Sequence, residues 1–67
     1  RVSIEKCMGE LKKLIIRKKE VDFSRYVAQS QPEEKLANFL GLLELLRLGK
    51  IAANQKNPFS KILLTVV

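Results

Sequence analysis

Sixty-seven residues leave room for one hydrophobic core, since a domain usually takes about 100–200, and 46% apolar with 30% charged residues is globular composition, not disorder. A single cysteine, Cys7, excludes an internal disulfide, and with no histidine the chain has neither a zinc site nor the commonest general base. The net charge of +6 suits nucleic acid, an acidic protein partner or simple solubility, and charge alone does not choose among them.

No enzymatic role and no cofactor are expected. The seven carboxylates are scattered, and the neighbours Glu33 and Glu34 would point about 100° apart on a helix, so they form no catalytic dyad. Gly9, Gly41 and Gly49 lie too far apart for a phosphate-cradling loop. No apolar run approaches the ~20 residues of a membrane span, and no charged-then-apolar opening marks a secretion signal. The chain starts at Arg1 without a methionine and reads as a piece of a longer, cytosolic protein.

The first predicted helix covers Ile4 to Arg17 and is capped by Ser3, whose hydroxyl can satisfy a free first-turn amide. Ile4, Cys7, Met8, Leu11, Leu14 and Ile15 recur at three- and four-residue spacing and form a stripe about 120° wide. Cys7 therefore reads as a small buried thiol. Gly9 costs roughly 1 kcal/mol in a helix interior and serves no evident purpose. Next, Glu20 to Phe23 alternates polar and apolar, so Val21 and Phe23 make a brief strand. Ser24 then caps a short helix from Arg25 to Ala28, and Gln29-Ser30-Gln31 is a turn.

The third helix is expected from Pro32 to Leu48, with Pro32 at its first position, Glu33 and Glu34 at its positive end and Gly49 as the left-handed stop. Leu36, Phe39, Leu40, Leu42, Leu43 and Leu46 span about 160° of its circumference, and Leu45 points nearly opposite. A helix so apolar all round exceeds what a small domain can bury, so part of it is expected to meet another chain. Which side does so is not readable, because both are apolar. The end of the chain reads as a hairpin: Lys50 to Gln55, a turn at Lys56-Asn57-Pro58, and Phe59 to Val67. Ile62, Leu64 and Val66 would share one face, with Phe59, Leu63 and Val67 on the other. The predicted fold is thus α+β, mainly α: a single winged helix-turn-helix domain of three helices and a C-terminal two-strand wing.

The stretches Phe39 to Leu45, Leu48-Gly49-Lys50-Ile51 and Gln55 to Ile62, with Val2-Ser3-Ile4-Glu5-Lys6 and Val21-Asp22-Phe23-Ser24, resemble the C-terminal winged-helix domain of the bacterial and archaeal kleisins, the segregation and condensation protein A family. The Gln-x-x-Pro-aromatic wing is shared with the cohesin kleisin. The resemblance covers Val2 to about Leu64 and rests on the order and spacing of these pieces. It implies a non-catalytic subunit whose C-terminal domain binds the ATPase head of an SMC protein. The rest of a full-length member would bind the neck of a second SMC and a ScpB dimer, closing a ring that condenses and segregates chromosomes in the cytoplasm at the nucleoid. With the leucine surplus it nominates Phe39, Leu42, Leu43 and Leu46 as partner contacts, then Phe59 and Ile62, with Tyr26 and Asn38 at the rim.

A DNA-reading winged helix is the competing expectation. A groove-reading helix presents Arg, Lys, Asn or Gln to base edges, and the third helix offers only Lys35, Asn38 and Arg47. The dense basic stretch Lys12, Lys13, Arg17, Lys18 and Lys19 lies instead on the first helix and is the candidate for weak, non-specific DNA contact. Where family members usually carry acids in the wing turn, this chain has Lys56, Asn57 and Lys61.

Overall fold

The computed structural model describes residues 3–67; Val2, which enters the resemblance, lies outside the described residues. Helix α1 (Ile4–Lys18) begins where Ser3 Oγ accepts the Lys6 amide at 3.3 Å. It ends at Lys19, a non-glycine residue at φ 73°, whose N–H donates to the Ile15 carbonyl at 2.7 Å. Strand β1 (Val21–Asp22) runs directly into α2 (Phe23–Ala28). Here the cap is Asp22 and not Ser24: its carboxylate accepts the Arg25 amide at 3.2 Å. An acid at the cap starts the helix two positions earlier than expected, and so Phe23 is the first helical residue instead of a strand residue.

Pro32–Glu34 forms a 3₁₀ turn, and α3 (Lys35–Arg47) follows it, so the single helix expected from Pro32 is divided. The C-terminus of α3 closes as expected. Gly49 sits at φ 71°, its N–H donates to Leu46 O at 3.1 Å, and the Lys50 N–H donates to Leu45 O at 3.0 Å. This double bond pattern satisfies the last carbonyls and turns the chain into β2 (Ile51–Asn54).

The last strand, β3 (Leu63–Val66), is shorter than expected, and it is not one arm of a free two-strand wing. It is the centre of a three-stranded antiparallel sheet of order β1-β3-β2. Val21 and Ala53 both lie opposite Leu64, and Ile51 lies opposite Val66. Residues from Phe59 to Ile62 stay out of the ladder because the loop bonds to itself. The Asn57 N–H donates to Ser60 Oγ and the Phe59 N–H to Asn57 Oδ1, both at 3.0 Å, while Gln55 Nε2 donates to Ser60 O at 2.8 Å. The apolar last strand, an aggregation risk if bare, has a neighbour along each edge. Helices and sheet enclose one core of Leu11, Ile15, Val21, Leu42, Leu45, Ile51 and Leu64, with Cys7 also buried.

Candidate partner-binding surface

Helix α3 decides where the surface lies, because its two sides are chemically alike in sequence and different in structure. Its buried residues are Asn38, Gly41, Leu42 and Leu45, related by three- and four-residue steps that make one stripe. Gly41 sets the approach: a Cβ there would lie 3.3 Å from Met8 Cγ and 3.5 Å from Cys7 Cβ, so the missing side chain lets α1 and α3 close on each other. Asn38 is the one buried polar residue among the described residues. Its Nδ2 donates to Ser30 Oγ at 2.8 Å, and that hydroxyl donates to the Tyr26 carbonyl at 3.0 Å. The amide thereby ties α3 to the end of α2.

Opposite this stripe, Leu36, Phe39, Leu40 and Leu43 share an arc about 100° wide, and all four are exposed, Leu36 to 68% and Leu43 to 44%. Leu40 and Leu43 continue into a shallow groove against Ile4 and Met8 of α1, which Glu5, Glu44 and Arg47 also line. Arg47 is held there by a two-pronged bond to Glu44. That cation lowers the Glu44 pKa, first through the hydrogen bond and then through its charge. Phe39 is steadied from behind by Phe23, with ring centroids 6.2 Å apart. The result is an apolar ridge with a charged border, on a rigid element.

The nominated contacts therefore separate. Phe39 and Leu43 lie on the outward arc. Leu42 does not: at 2% exposure it is core, packed toward α1 and the sheet, and cannot touch a partner in the folded domain. Leu46 is half-buried against that core, and Ile62 is half-buried beside β1, where its carbonyl accepts the Phe23 amide at 2.9 Å. Phe59 is 97% exposed at the tip of the wing loop. Asn38 and Tyr26 are corrected as rim residues, since Asn38 is buried and Tyr26 packs against the core. Leu36, Leu40, Ile4 and Met8 were not nominated. Leu36 and Leu40 had a signal, an i,i+4 pair beside Phe39 and Leu43; Ile4 and Met8 read as ordinary core from their spacing.

The basic stretch also divides. Lys13 and Arg17 lie on the flank of α1 that faces α2, whereas Lys12 projects about 100° away from Lys13. Lys18 lines a neighbouring groove with Arg25 and Lys61. The base-reading set of α3 is largely engaged elsewhere: Asn38 is buried, Lys35 Nζ donates to Val27 O at 3.2 Å, and Arg47 is paired.

Against known proteins, no curated protein matches the chain. Among solved structures, it is similar to the C-winged helix domain of ScpA in the crystal structure of that domain bound to the SmcHead. The TM-score is 0.69 and the identity 28%, over 97% of this chain and 100% of that one. The family model described as Segregation and condensation protein ScpA matches residues 1–67, all of the sequence, and the chain belongs to that family.

Proposed function

We propose that this domain docks on the ATPase head of an SMC protein, with the outward face of α3 as its contact surface. The observation that carries this reading is the exposed arc Leu36, Phe39, Leu40 and Leu43. Four large apolar residues on one helix face leave no reason for their exposure in the isolated fold, and the charged border of Glu5, Glu44 and Arg47 has the anatomy of an interface rim. The SmcHead-bound relative supports the choice of partner. Phe59 and Ile62 would extend the contact along the wing loop. The role is structural. The domain contributes binding, and ATP hydrolysis belongs to the head.

On this reading the chain acts as the C-terminal end of a kleisin. In a full-length protein a further segment would hold a ScpB dimer, and the assembly would close a ring that condenses and segregates chromosomes in the cytoplasm, at the nucleoid. A helix-three DNA reader is the weaker reading, because the residues that would address base edges are buried or bonded within the domain.

The test is a calorimetric titration of an SMC head fragment with the native domain and with Leu43→Arg. Interface anchors contribute ~2 kcal/mol or more each, so a charge at the centre of the arc should weaken binding at least about thirtyfold. A folded Leu43→Arg domain that binds like the native one would move the contact elsewhere.

A further inference from the structure

The sequence places its densest positive charge on one stretch of α1, but the folded surface groups cations from three separate elements, α1, α2 and the wing loop. Lys13 and Arg17 line the groove between α1 and α2. That groove meets, at Leu14, Tyr26 and Gln29, a second one lined by Lys18, Arg25 and Lys61. Lys61 in turn borders a third, at the base of the wing loop, with Lys56. Each depression shares lining residues with the next, and the six cations run from the middle of α1 to the wing.

None of the six is in an ion pair; among the described residues the one salt bridge joins Arg47 to Glu44. Four acids share the grooves: Glu10 and Glu34 in the first, Glu20 and Asp22 in the second. Asp22 is occupied in capping α2. The third groove has no acid, and after Glu44 the sequence carries none. The positive potential therefore rises toward Lys61 and Lys56.

We propose that this composite track binds the phosphate backbone of duplex DNA without reading its sequence, with Lys61 as the junction between the α2 grooves and the wing. The chemistry of the track selects this occupant over an acidic protein. It is an open line of long cationic side chains, and the apolar groups lining it are half-buried (Leu14, Tyr26 and Leu63) or buried (Val21). A protein interface concentrates its energy in buried apolar anchors. A polyanion with one charge per ~1.7 Å of helix axis needs only spaced cations, because counterion release drives its binding.

On α1 and α2 the track is also separate from the α3 arc proposed for the head, and the two meet only at the wing loop, where Phe59 and Ile62 neighbour Lys61. On α1, Lys13 and Arg17 lie on one side of the buried stripe of Cys7, Leu11 and Ile15, and Ile4 and Met8, which face Leu40 and Leu43, lie on the other. The α1 and α2 part of the track therefore stays open when the α3 arc is covered, and the two readings fail independently because different residues test them.

The experiment is a fluorescence-anisotropy titration of two labelled duplexes of unrelated sequence at several salt concentrations. It uses the native domain, Lys18→Glu/Lys61→Glu, and the charge-matched control Lys12→Glu/Lys50→Glu. Native binding should be weak, with Kd of roughly 10⁻⁴–10⁻⁶ M near physiological salt, equal for both duplexes, and steeply salt-dependent. Reversing Lys18 and Lys61 should weaken it at least about tenfold and flatten the log–log salt slope by about 2, at ~0.9 per lost contact. The control should retain the native slope. Lys18→Gln/Lys61→Gln should show the same flattening, and Lys18→Arg/Lys61→Arg should restore the slope, which separates lost contacts from lost folding. The proposal is overturned if the control loses as much as the track variant, or if one duplex is preferred. Absence of native binding at 50 mM salt, or tighter binding to polyglutamate than to the duplex at equal salt, would also overturn it.

Discussion

Leu42 and Leu43 are neighbours of the same residue type, and the structure buries the first and exposes the second. Truncating each to alanine tests that assignment. Leu42 is 2% exposed and surrounded by the core, so Leu42→Ala removes buried carbons and leaves a cavity that α1 and the sheet only partly close. Such substitutions cost about 2–5 kcal/mol. The whole stability of a 67-residue domain, at about 0.05–0.15 kcal/mol per residue, is only about 3–10 kcal/mol. Leu42→Ala should therefore move the urea midpoint far toward zero or leave the domain partly unfolded. Leu43 keeps 44% of its surface in water, so Leu43→Ala loses only a little over half of that apolar burial and should cost about 1 kcal/mol.

Affinity for an SMC head should order the pair the other way. Leu43→Ala loses about 2 kcal/mol of binding if it truncates an anchor, while the fraction of Leu42→Ala that remains folded binds normally. Urea unfolding followed by circular dichroism gives the first ordering, and calorimetry on the same samples gives the second. Equal stability losses at the two positions would refute the assignment of faces. A Leu43→Ala domain with native stability and native affinity would refute the contact.

Other outcomes follow from single residues. Lys19 holds φ 73°, which costs a residue with a Cβ about 1–2 kcal/mol, against about 0.5–1 kcal/mol of extra chain entropy for glycine. Lys19→Gly should thus raise the urea midpoint by a net ~0.5–1 kcal/mol, and a lowered midpoint would contradict the strained geometry. Cys7 is buried against α3, and burial first, then nearby Glu10, pushes its thiol above the ordinary 9.0; a thiol reagent should label the native domain far more slowly than the urea-unfolded chain. The Tyr26 hydroxyl is pushed up from 10.0 to about 12, chiefly by burial, so the unfolded chain loses this proton first. Its contribution to stability is complete below pH 10 and is lost as the pH rises toward about 12. Native and Tyr26→Phe unfolding midpoints should converge or cross over that range, and parallel curves would count against the shift.

Much of this fold could be read from residues that act locally. Ser3 caps α1 and Gly49 ends the α3 turn through their own backbone and side-chain bonds, and both positions agree with the structure. The start of α2 moved by two residues because Asp22 and Ser24 are both competent caps, and only the strand before them decides which is used. The β1–β3 pairing joins segments more than forty residues apart through two residue pairs, and nothing in a two-residue strand announces its partner.

The candidate surface was legible in kind and not in orientation. The leucine surplus pointed to α3, the helix whose outward arc is exposed, but periodicity cannot rank two apolar sides. What orients the helix is Gly41, whose absent Cβ admits Met8 and Cys7, and Asn38, whose amide finds Ser30 Oγ. Asn38 looked like a surface residue because its partner comes from the turn after α2, and a buried amide can be recognised only when its acceptor is known. Leu42 was lost to the same ambiguity: it adjoins the outward arc on the helix circumference and belongs to the core stripe.

The central claim, that the outward face of α3 is the docking surface for an SMC head, is tested most directly by an amide-correlation NMR titration of the labelled domain with unlabelled head. The account predicts that broadening and shifts begin at Leu36, Phe39, Leu40 and Leu43 and spread to Ile4 and Met8, while Lys13 and Arg17 on the opposite flank of α1, and Arg25 on α2, stay in place. Perturbations confined to the α2 grooves, with the α3 arc unchanged at saturation, would contradict it.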